Sequence, residues 1–254
     1  MNIFKNLYNY REFLKTSIKK EFRGKYKKSF LGILWSFLNP LFQLLIYALV
    51  FPFILKNNVS NYTVFLIVAL FPWNFFNLSI IQSAACVVSN GGIIKKVYFP
   101  REILPISTAT SNLINFLISS VIVFVALLIS GVGIHASIIA LPIIILMQYI
   151  LQLGLSFILS AITVYVRDVE YLINVIMMLA FYLSPIVYSA DMIPTKYLPL
   201  FKLNPMFHII KYYRDILYYG KLFLHCFLPV RIWYNNERNT GDGHEESCRK
   251  DTYL

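Results

Sequence analysis

The sequence predicts an all-α membrane protein, a polytopic bundle of transmembrane helices with an amphipathic interface helix at its N-terminus. Of the 254 residues, 58% are hydrophobic and 14% are charged, whereas a soluble domain has about 25% charged residues. Several runs without Asp, Glu, Lys, Arg or His are long enough for a helix to cross a bilayer. Basic residues flank these runs, so the net charge of +11 indicates membrane topology and anionic lipids instead of nucleic acid.

The predicted elements follow one another along the chain. Residues 1–30 carry nine basic and two acidic residues, with apolar side chains near helical spacing, which is typical of an interfacial amphipathic helix. The region 31–221 begins with five uncharged runs. We interpret them as spans over residues 31–55, 62–88, 104–130, 138–166 and 171–189. Prolines within or near these runs predict kinks.

Loop charge predicts the direction of the chain. Thirteen basic residues lie in the N-terminal segment, the loop 89–103 and the loop 167–170, whereas the intervening loops hold Lys56 alone. Because basic loops stay in the cytoplasm, the N-terminus and these two loops are predicted to be cytoplasmic. Residues 190–221 then lie outside, and their many aromatic residues predict short helices on the outer interface.

Residues 222–254 form an atypical polar tail. The apolar stretch LFLHCFLPV after Lys221 has nine residues, which is shorter than the roughly 17 that a helical span needs. A sixth span is therefore absent or disrupted, and we expect a truncated or frame-shifted reading frame to be the reason.

The predicted spans carry uncharged polar side chains instead of ionisable ones. Asn112 and Asn115 share one helix face, and Gln148 and Gln152 share another. The other amides are dispersed along the chain: Gln43, Asn74, Asn77, Gln82 and Asn174. Such amides either hydrogen-bond helices to one another or line a path for a hydroxyl-rich substrate. The lack of an ionisable residue at mid-membrane argues against a proton-driven mechanism.

No motif for a cofactor or a metal is present. The sequence has no G-x-x-x-x-G-K-[ST] loop, and its three cysteines and four histidines show no ligand-like spacing. Arg23 and Lys25 are candidates for attracting an anionic lipid headgroup, with simple topological charge as the alternative interpretation. The missing phosphate-binding loop and the scattered Cys and His residues therefore predict no cofactor or metal in this chain.

The loop KKVYFPRE, Lys95–Glu102, combines three cations, one acid and two aromatic residues. It is either a solvated charged turn or a docking site for a partner. Tyr98 and Phe99 favour docking, because they would otherwise be exposed apolar surface, and such residues often anchor interfaces.

Three segments resemble type-2 ATP-binding-cassette permeases that export polysaccharides such as O-antigen, teichoic acid and capsule. They are REFLKTSIKKEFRGKYKKSFLGILWSFLNP at about 10–40, FFNLSIIQSAACVVSNGGIIKKVYFPREILPIS at 75–107 and VYVRDVEYLINVIMMLAFYLSPIVY at 164–188. The likeness covers residues 1 to about 221. It is fairly specific, because three loose motifs occur in the same order.

The resemblance implies a homodimer with six spans per subunit, paired with a separate ATPase that holds ATP and magnesium. It implies an ATPase-coupling loop formed by Lys95, Lys96, Tyr98, Phe99, Pro100, Arg101 and Glu102. A second cytoplasmic contact is implied at Arg167, Asp168 and Glu170, and outer gate helices at 191–220. The implied cargo is a polyprenyl-linked polysaccharide that crosses the bacterial inner membrane through an aromatic-lined channel.

Two other functions stay open on the sequence alone. One is a type-2 permease for a drug or a small lipid. The other is a membrane enzyme acting on polyprenyl-linked glycans, which needs acids or bases at the membrane surface. The nearby acids are Asp168, Glu170, Asp191 and Asp215. They are predicted to lie on opposite faces of the membrane, which favours a permease.

Overall fold

The structure is a computed structural model that describes residues 8–26, 29–55, 61–133 and 135–220. Within these residues all regular structure is helical. The helices are α1 (Arg11–Tyr26), α2 (Trp35–Leu55), α3 (Tyr62–Ser89), α4 (Gly91–Ile94), α5 (Ile103–Ile129), α6 (Leu141–Tyr165), α7 (Val169–Tyr182), α8 (Leu198–Lys202) and α9 (Pro205–Leu217). This confirms the predicted all-α class. The predicted tail, 222–254, lies outside the described residues.

Helix α3 is the centre of the bundle. Its sequence is uncharged and mostly apolar, and most of its side chains are buried, as expected for a helix at the centre of a bundle. It packs against α2, α5, α6, α7 and α9. The other helices therefore hold their positions mainly through α3.

Three helical stretches are long and apolar enough to cross a membrane in the described part of the chain. They are Tyr62–Ser89, Ile103–Ile129 and Ala136–Tyr165, which match the predicted runs 62–88, 104–130 and 138–166. The stretches Trp35–Phe51 and Val169–Tyr182 are shorter apolar helices. The count of five spans stays a prediction.

Helix α7 is shorter than the predicted run 171–189. It ends at Tyr182, and the chain from Leu183 to Ser189 is not helical. Pro185 gives the physical reason, because a proline disfavours the helical conformation of the residue before it. The residues Ser184, Pro185, Ile186 and Val187 are nevertheless buried, so this break lies inside the protein.

The long helices alternate in direction, so the loops lie at two ends of the bundle. We call one end the basic end; it carries residues 90–102 and 166–168. The opposite end carries the loop 130–140, where Ser130 O accepts a hydrogen bond from Asn61 Nδ2 over 3.4 Å. Ser137 Oγ donates to Ile216 O over 2.9 Å, so the C-terminus of α9 also lies at the opposite end.

The N-terminal helix α1 runs along the first half of α5. Near its start, the Phe13 ring lies 4.6 Å from the Phe99 ring, just before α5 begins. Near its end, Lys25 Nζ donates to Asn112 Oδ1, more than two turns into α5. Helix α1 lies where a helix was predicted within residues 1–30, and it packs against α5. Its place at the membrane interface stays a prediction.

Helix α9 packs within the bundle, whereas the aromatic residues of 190–221 predicted short helices on the outer interface. Met206, Ile210 and Tyr213 are at most 1% exposed, and α9 packs against α3 and α6. The apolar face of this amphipathic helix packs on protein, and its position relative to the membrane interface stays a prediction.

Candidate functional site

A polar cavity of about 320 Å³ lies between α2, α3 and α7. We call it the amide cavity, because the side-chain amides of Gln43, Asn74, Asn77 and Asn174 line it. The lining residues of α2 and α3 lie near the midpoints of these helices. The amide cavity is therefore at mid-depth in the bundle, where membrane helices are otherwise apolar.

The structure brings together amides that the sequence suggested were dispersed. That prediction is wrong for Gln43, Asn74, Asn77 and Asn174, which line one cavity. Two of these four amides could have been grouped from the sequence: Asn74 and Asn77 are three residues apart and therefore lie on one helix face. Only the packing of three helices adds the other two amides to the same wall.

Hydrogen bonds orient most of these amides. Asn74 Nδ2 donates to Gln43 Oε1 over 2.9 Å, and Gln43 Nε2 donates to the Tyr47 hydroxyl over 3.4 Å. Asn174 Nδ2 donates to Glu170 O over 2.7 Å. Each of these amides keeps further acceptor or donor capacity, because an amide side chain has two donors and two acceptor lone pairs. The cavity can therefore bind hydroxyl groups.

Aromatic rings lie beside the amides in the same wall. The Phe181 ring is 5.7 Å from Trp73 and 5.9 Å from Tyr47, measured between ring centroids, and all three rings line the cavity. Ring faces offer apolar surface to the C–H side of a sugar, while amides bind its hydroxyls. This combination of a broad apolar surface with a few polar groups is typical of ligand sites.

A smaller cavity of about 40 Å³ adjoins the amide cavity and shares Asn74 with it. The predicted polar pair Asn112 and Asn115 lines this smaller cavity. Asn115 Oδ1 accepts a hydrogen bond from Ser36 Oγ over 2.6 Å, and Asn112 Nδ2 donates to Gln82 Oε1 over 3.1 Å. The predicted pair therefore lies beside the amide cavity and helps to join α2, α3 and α5.

Gln148 and Gln152, the other predicted pair, are fully buried and line neither cavity. Gln148 Nε2 donates to Pro72 O over 2.8 Å, and Gln148 Oε1 accepts from the Tyr213 hydroxyl over 2.9 Å. These bonds join α3, α6 and α9. The geometry supports the interpretation of Gln148 as a link between helices.

The two candidates for headgroup binding differ in their surroundings. Arg23 is exposed at the end of α1, whereas Lys25 is turned towards the bundle, where it donates to Asn112. Burial lowers the pKa of Lys25 from its ordinary value of 10.5 to about 8, although the Glu21 carboxylate acts in the opposite direction. The Lys25 ammonium is thus a partly desolvated charge that another anion would stabilise.

The lowered pKa of Lys25 predicts how stability depends on pH. From pH 8 to pH 10.5 the unfolded chain binds a proton at this lysine that the folded chain has already released, so stability rises with pH. Below about pH 8 both states are protonated, and the cost of the buried charge is constant. We therefore compare the melting temperatures of the purified wild type and of Lys25→Met. We expect the wild-type value minus the variant value to increase as the pH is raised from about 7.5 to about 9.5.

The matched control for this measurement is Lys19→Met, which removes an exposed charge from the same helix. A constant difference between the wild type and Lys25→Met across this pH range would contradict the prediction.

The loop Lys95–Glu102 lies at the basic end of the bundle. Lys95, Lys96 and Arg101 are exposed, and Tyr98 is 93% exposed. The assumption that Phe99 is also exposed is wrong, because Phe99 is 6% exposed and packs with Cys86, Leu104 and Phe13. Phe99 therefore joins the loop to α1, and Tyr98 is the aromatic residue that a partner can reach. Docking by this loop stays a prediction.

The second predicted contact lies at the same end. Arg167 and Asp168 are exposed in the turn between α6 and α7, and Glu170 is half-buried in the first turn of α7. Both predicted contact sites thus present charged side chains from one end of the bundle. A partner bound there would contact both loops.

A helical membrane protein with a polar, aromatic-lined cavity at mid-depth has the architecture of a permease, because transporters hold their substrate near the midplane. The family model described as "ABC-2 type transporter" matches residues 12–218. The chain therefore belongs to the ABC-2 type transporter family, and it is a transport permease and not an enzyme. Membership implies an ATP-binding-cassette ATPase as the partner.

Characterised relatives cover most of the chain. It is 37% identical over 204 residues to an O-antigen export system permease protein RfbA of Klebsiella pneumoniae, with 80% of this chain and 79% of that protein aligned. It is 31% identical over 224 residues to the protein of the same name from Myxococcus xanthus, with 87% and 86% aligned. A second Klebsiella pneumoniae protein of that name is 35% identical over 204 residues, with 80% and 79% aligned.

Proposed function

We propose that this chain is the membrane subunit of an ATP-driven exporter that moves a polyprenyl-linked polysaccharide, similar to O-antigen or teichoic acid, across the bacterial inner membrane. The amide cavity carries this proposal. Its amides match the hydroxyls of a sugar and its rings match the apolar faces, at the depth where a glycan must pass. The names of the three relatives support a glycan over a drug or a small lipid.

A homodimer would complete the channel. Met178 and Tyr182 line the amide cavity and are more than half exposed, so the cavity reaches the surface of the single chain. Lipid tails cannot hydrogen-bond the amides of such an opening. A second copy that covers it would enclose the polar wall and place two amide cavities around one path.

The charges of the loops support an orientation of the chain in the membrane. The basic end, with the loops at 95–102 and 167–170, faces the cytoplasm in this proposal, and so does the N-terminus. The separate ATPase would hold ATP and magnesium and would bind this end through the loop Lys95–Glu102 and through Arg167, Asp168 and Glu170. Closure of the ATPase on ATP would then rotate the helices that line the path.

The lipid carrier would enter beside α1. Its diphosphate is a strong anion, and the exposed Arg23 and the partly desolvated Lys25 lie on one side of the cytoplasmic half of the bundle in this proposal. Asn112, the partner of Lys25, lines the small cavity that shares Asn74 with the amide cavity. A polar route thus leads from the proposed headgroup region to the proposed glycan path.

Transport into inverted membrane vesicles tests the proposal. Vesicles that contain this chain and its ATPase are given a labelled polyprenyl-linked glycan, and import is measured as protection of the label from an added glycosidase. We expect protection that requires ATP and persists when an ionophore collapses the pH gradient, because the long apolar stretches Tyr62–Ser89, Ile103–Ile129 and Ala136–Tyr165 contain no Asp, Glu, Lys, Arg or His. Protection driven by a pH gradient without ATP would contradict the proposal. ATP-driven movement of a drug or a small lipid, without movement of glycan, would favour the other type-2 permease.

A further inference from the structure

We infer that Arg214 is a positioning residue that holds helix α9 against the end of the cavity-lining helix α7 and so keeps the outer end of the path closed. The inference rests on the proposed function in one respect only: the proposed function assigns the end of the bundle opposite the basic end to the outside of the cell. Its physical basis is the non-helical segment 184–188 that follows α7, of which residues 184–187 are buried.

Side chains from other helices bind three successive backbone carbonyls of this segment. Arg214 Nη2 donates to Ile186 O over 2.6 Å, and Arg214 Nη1 donates to Tyr188 O over 3.4 Å. The Tyr62 hydroxyl donates to Val187 O over 2.7 Å. Non-helical backbone at membrane depth persists only where its polar groups find partners within the protein. Arg214 supplies two of these partners.

The surroundings of Arg214 hold its guanidinium in one position. The residue is 5% exposed, and its guanidinium lies 3.5 Å from the centroid of the Phe65 ring on α3. A planar guanidinium can stack on a ring and donate to two carbonyls at once, because its donors are fixed in a fork. A lysine ammonium cannot reproduce this arrangement.

A second tie fixes the other end of α9. Asn204 Nδ2 donates to Ser184 Oγ over 2.9 Å, while Asn204 Oδ1 accepts from Met206 N and caps α9. Ser184 Oγ in turn donates to Ala180 O in α7 over 2.8 Å. Both ends of α9 are therefore bound to the segment that continues α7.

These ties make α9, the segment 184–188 and the last turn of α7 one mechanical unit. Phe181 and Tyr182, in that last turn, line the amide cavity. Displacement of α9 therefore moves a wall of the cavity, and loss of the Arg214 bonds frees α9 from that wall. The consequence is a cavity that opens towards the end of the bundle where α9 terminates.

Accessibility of Phe181→Cys to a thiol reagent tests this, because Phe181 lines the amide cavity and is half-buried. The parent protein carries Phe181→Cys, with Cys86, Cys226 and Cys248 replaced by serine. The rate of labelling by a membrane-impermeant maleimide is measured from outside whole cells and normalised to labelling by a permeant maleimide. We expect Arg214→Gln to raise the rate about tenfold, as loss of charge-assisted hydrogen bonds allows, and Arg214→Lys to raise it less.

Tyr213→Phe is the matched control. It removes a buried hydrogen bond between α9 and Gln148 without touching the segment 184–188, so a rate close to that of the parent is expected. If Arg214→Gln does not accumulate in the membrane, Arg214→Lys takes its place, because it keeps the charge but loses the fork of donors; it is expected to raise the rate by about threefold.

An unchanged rate in an Arg214→Gln protein of normal abundance would overturn the inference, and so would an equal rise in Tyr213→Phe. If Arg214→Lys replaces Arg214→Gln, an unchanged rate has the same meaning. Labelling needs neither glycan nor ATP. A rise in labelling in a system that transports no glycan would therefore contradict the proposed function and leave the role of Arg214 supported.

Discussion

Replacing Asn77 by tryptophan is expected to lower ATP-driven glycan export at least about tenfold, equivalent to roughly 1.4 kcal/mol or more, because the indole occupies part of the proposed path. Asn77 lines the amide cavity at mid-depth, and within the described residues its amide has no hydrogen-bond partner. An indole there fills space that a sugar needs and removes a group that can bind its hydroxyls. Export into inverted vesicles, divided by the amount of permease, is the measurement.

Two comparisons separate blockage from misfolding. Asn77→Ala keeps the space and removes only the amide, so export should fall by about fivefold, equivalent to one hydrogen bond. Leu128→Trp adds the same ring on α5, where Leu128 is 62% exposed and lines neither cavity, and export should not change. Equal export by Asn77→Trp and the wild type would remove the amide cavity from the proposed path.

Reversing the charges of Lys95, Lys96 and Arg101 to glutamate is expected to release the ATPase subunit and to lower export more than about tenfold. These cations are exposed at the basic end, where a partner with complementary charge would bind them. Reversal converts attraction into repulsion at an interface, and like charges there cost several kcal/mol, which corresponds to more than about tenfold in affinity. Co-purification of the ATPase with the permease measures the association directly.

The control for charge reversal has the same change in net charge at the other end. Lys196, Lys202 and Lys211 lie in the segment predicted to be outside, so their change to glutamate should leave ATPase association intact. Retention of both association and export by the Lys95, Lys96 and Arg101 variant would remove the loop from the coupling mechanism. Tyr98→Ala adds a second test, because its ring is the exposed aromatic side chain of this loop.

Hydrophobic runs were sufficient to predict the long helices. The starts and ends of α3, α5 and α6 lie within a few residues of the predicted runs, because an uncharged run of that length has few alternatives to a membrane helix. Helix α7 was predicted too long, although Pro185 carried a signal against a continuous helix. At the end of α7, the proline is therefore a better guide to the helix boundary than hydropathy is.

The site was harder to predict because it depends on which helices are neighbours. Asn112 and Asn115 lie beside the amide cavity, as a shared helix face suggested, but Gln148 and Gln152 show an equally good pattern and line neither cavity. Periodicity identifies a face and does not say what the face contacts. The same limit explains Phe99, whose burial against α1 required a contact between residues far apart in sequence.

The shortness of α7 has a consequence for the surrounding bilayer. Fourteen residues at 1.5 Å each give a helix of about 21 Å, whereas a hydrocarbon core is about 30 Å thick. A bilayer accommodates such a hydrophobic mismatch by local thinning of the acyl layer, by snorkelling of flanking side chains or by oligomerisation of the protein. Where the acyl layer beside α7 is thinned, a headgroup that crosses along this helix would pass through less hydrocarbon than elsewhere in the same membrane.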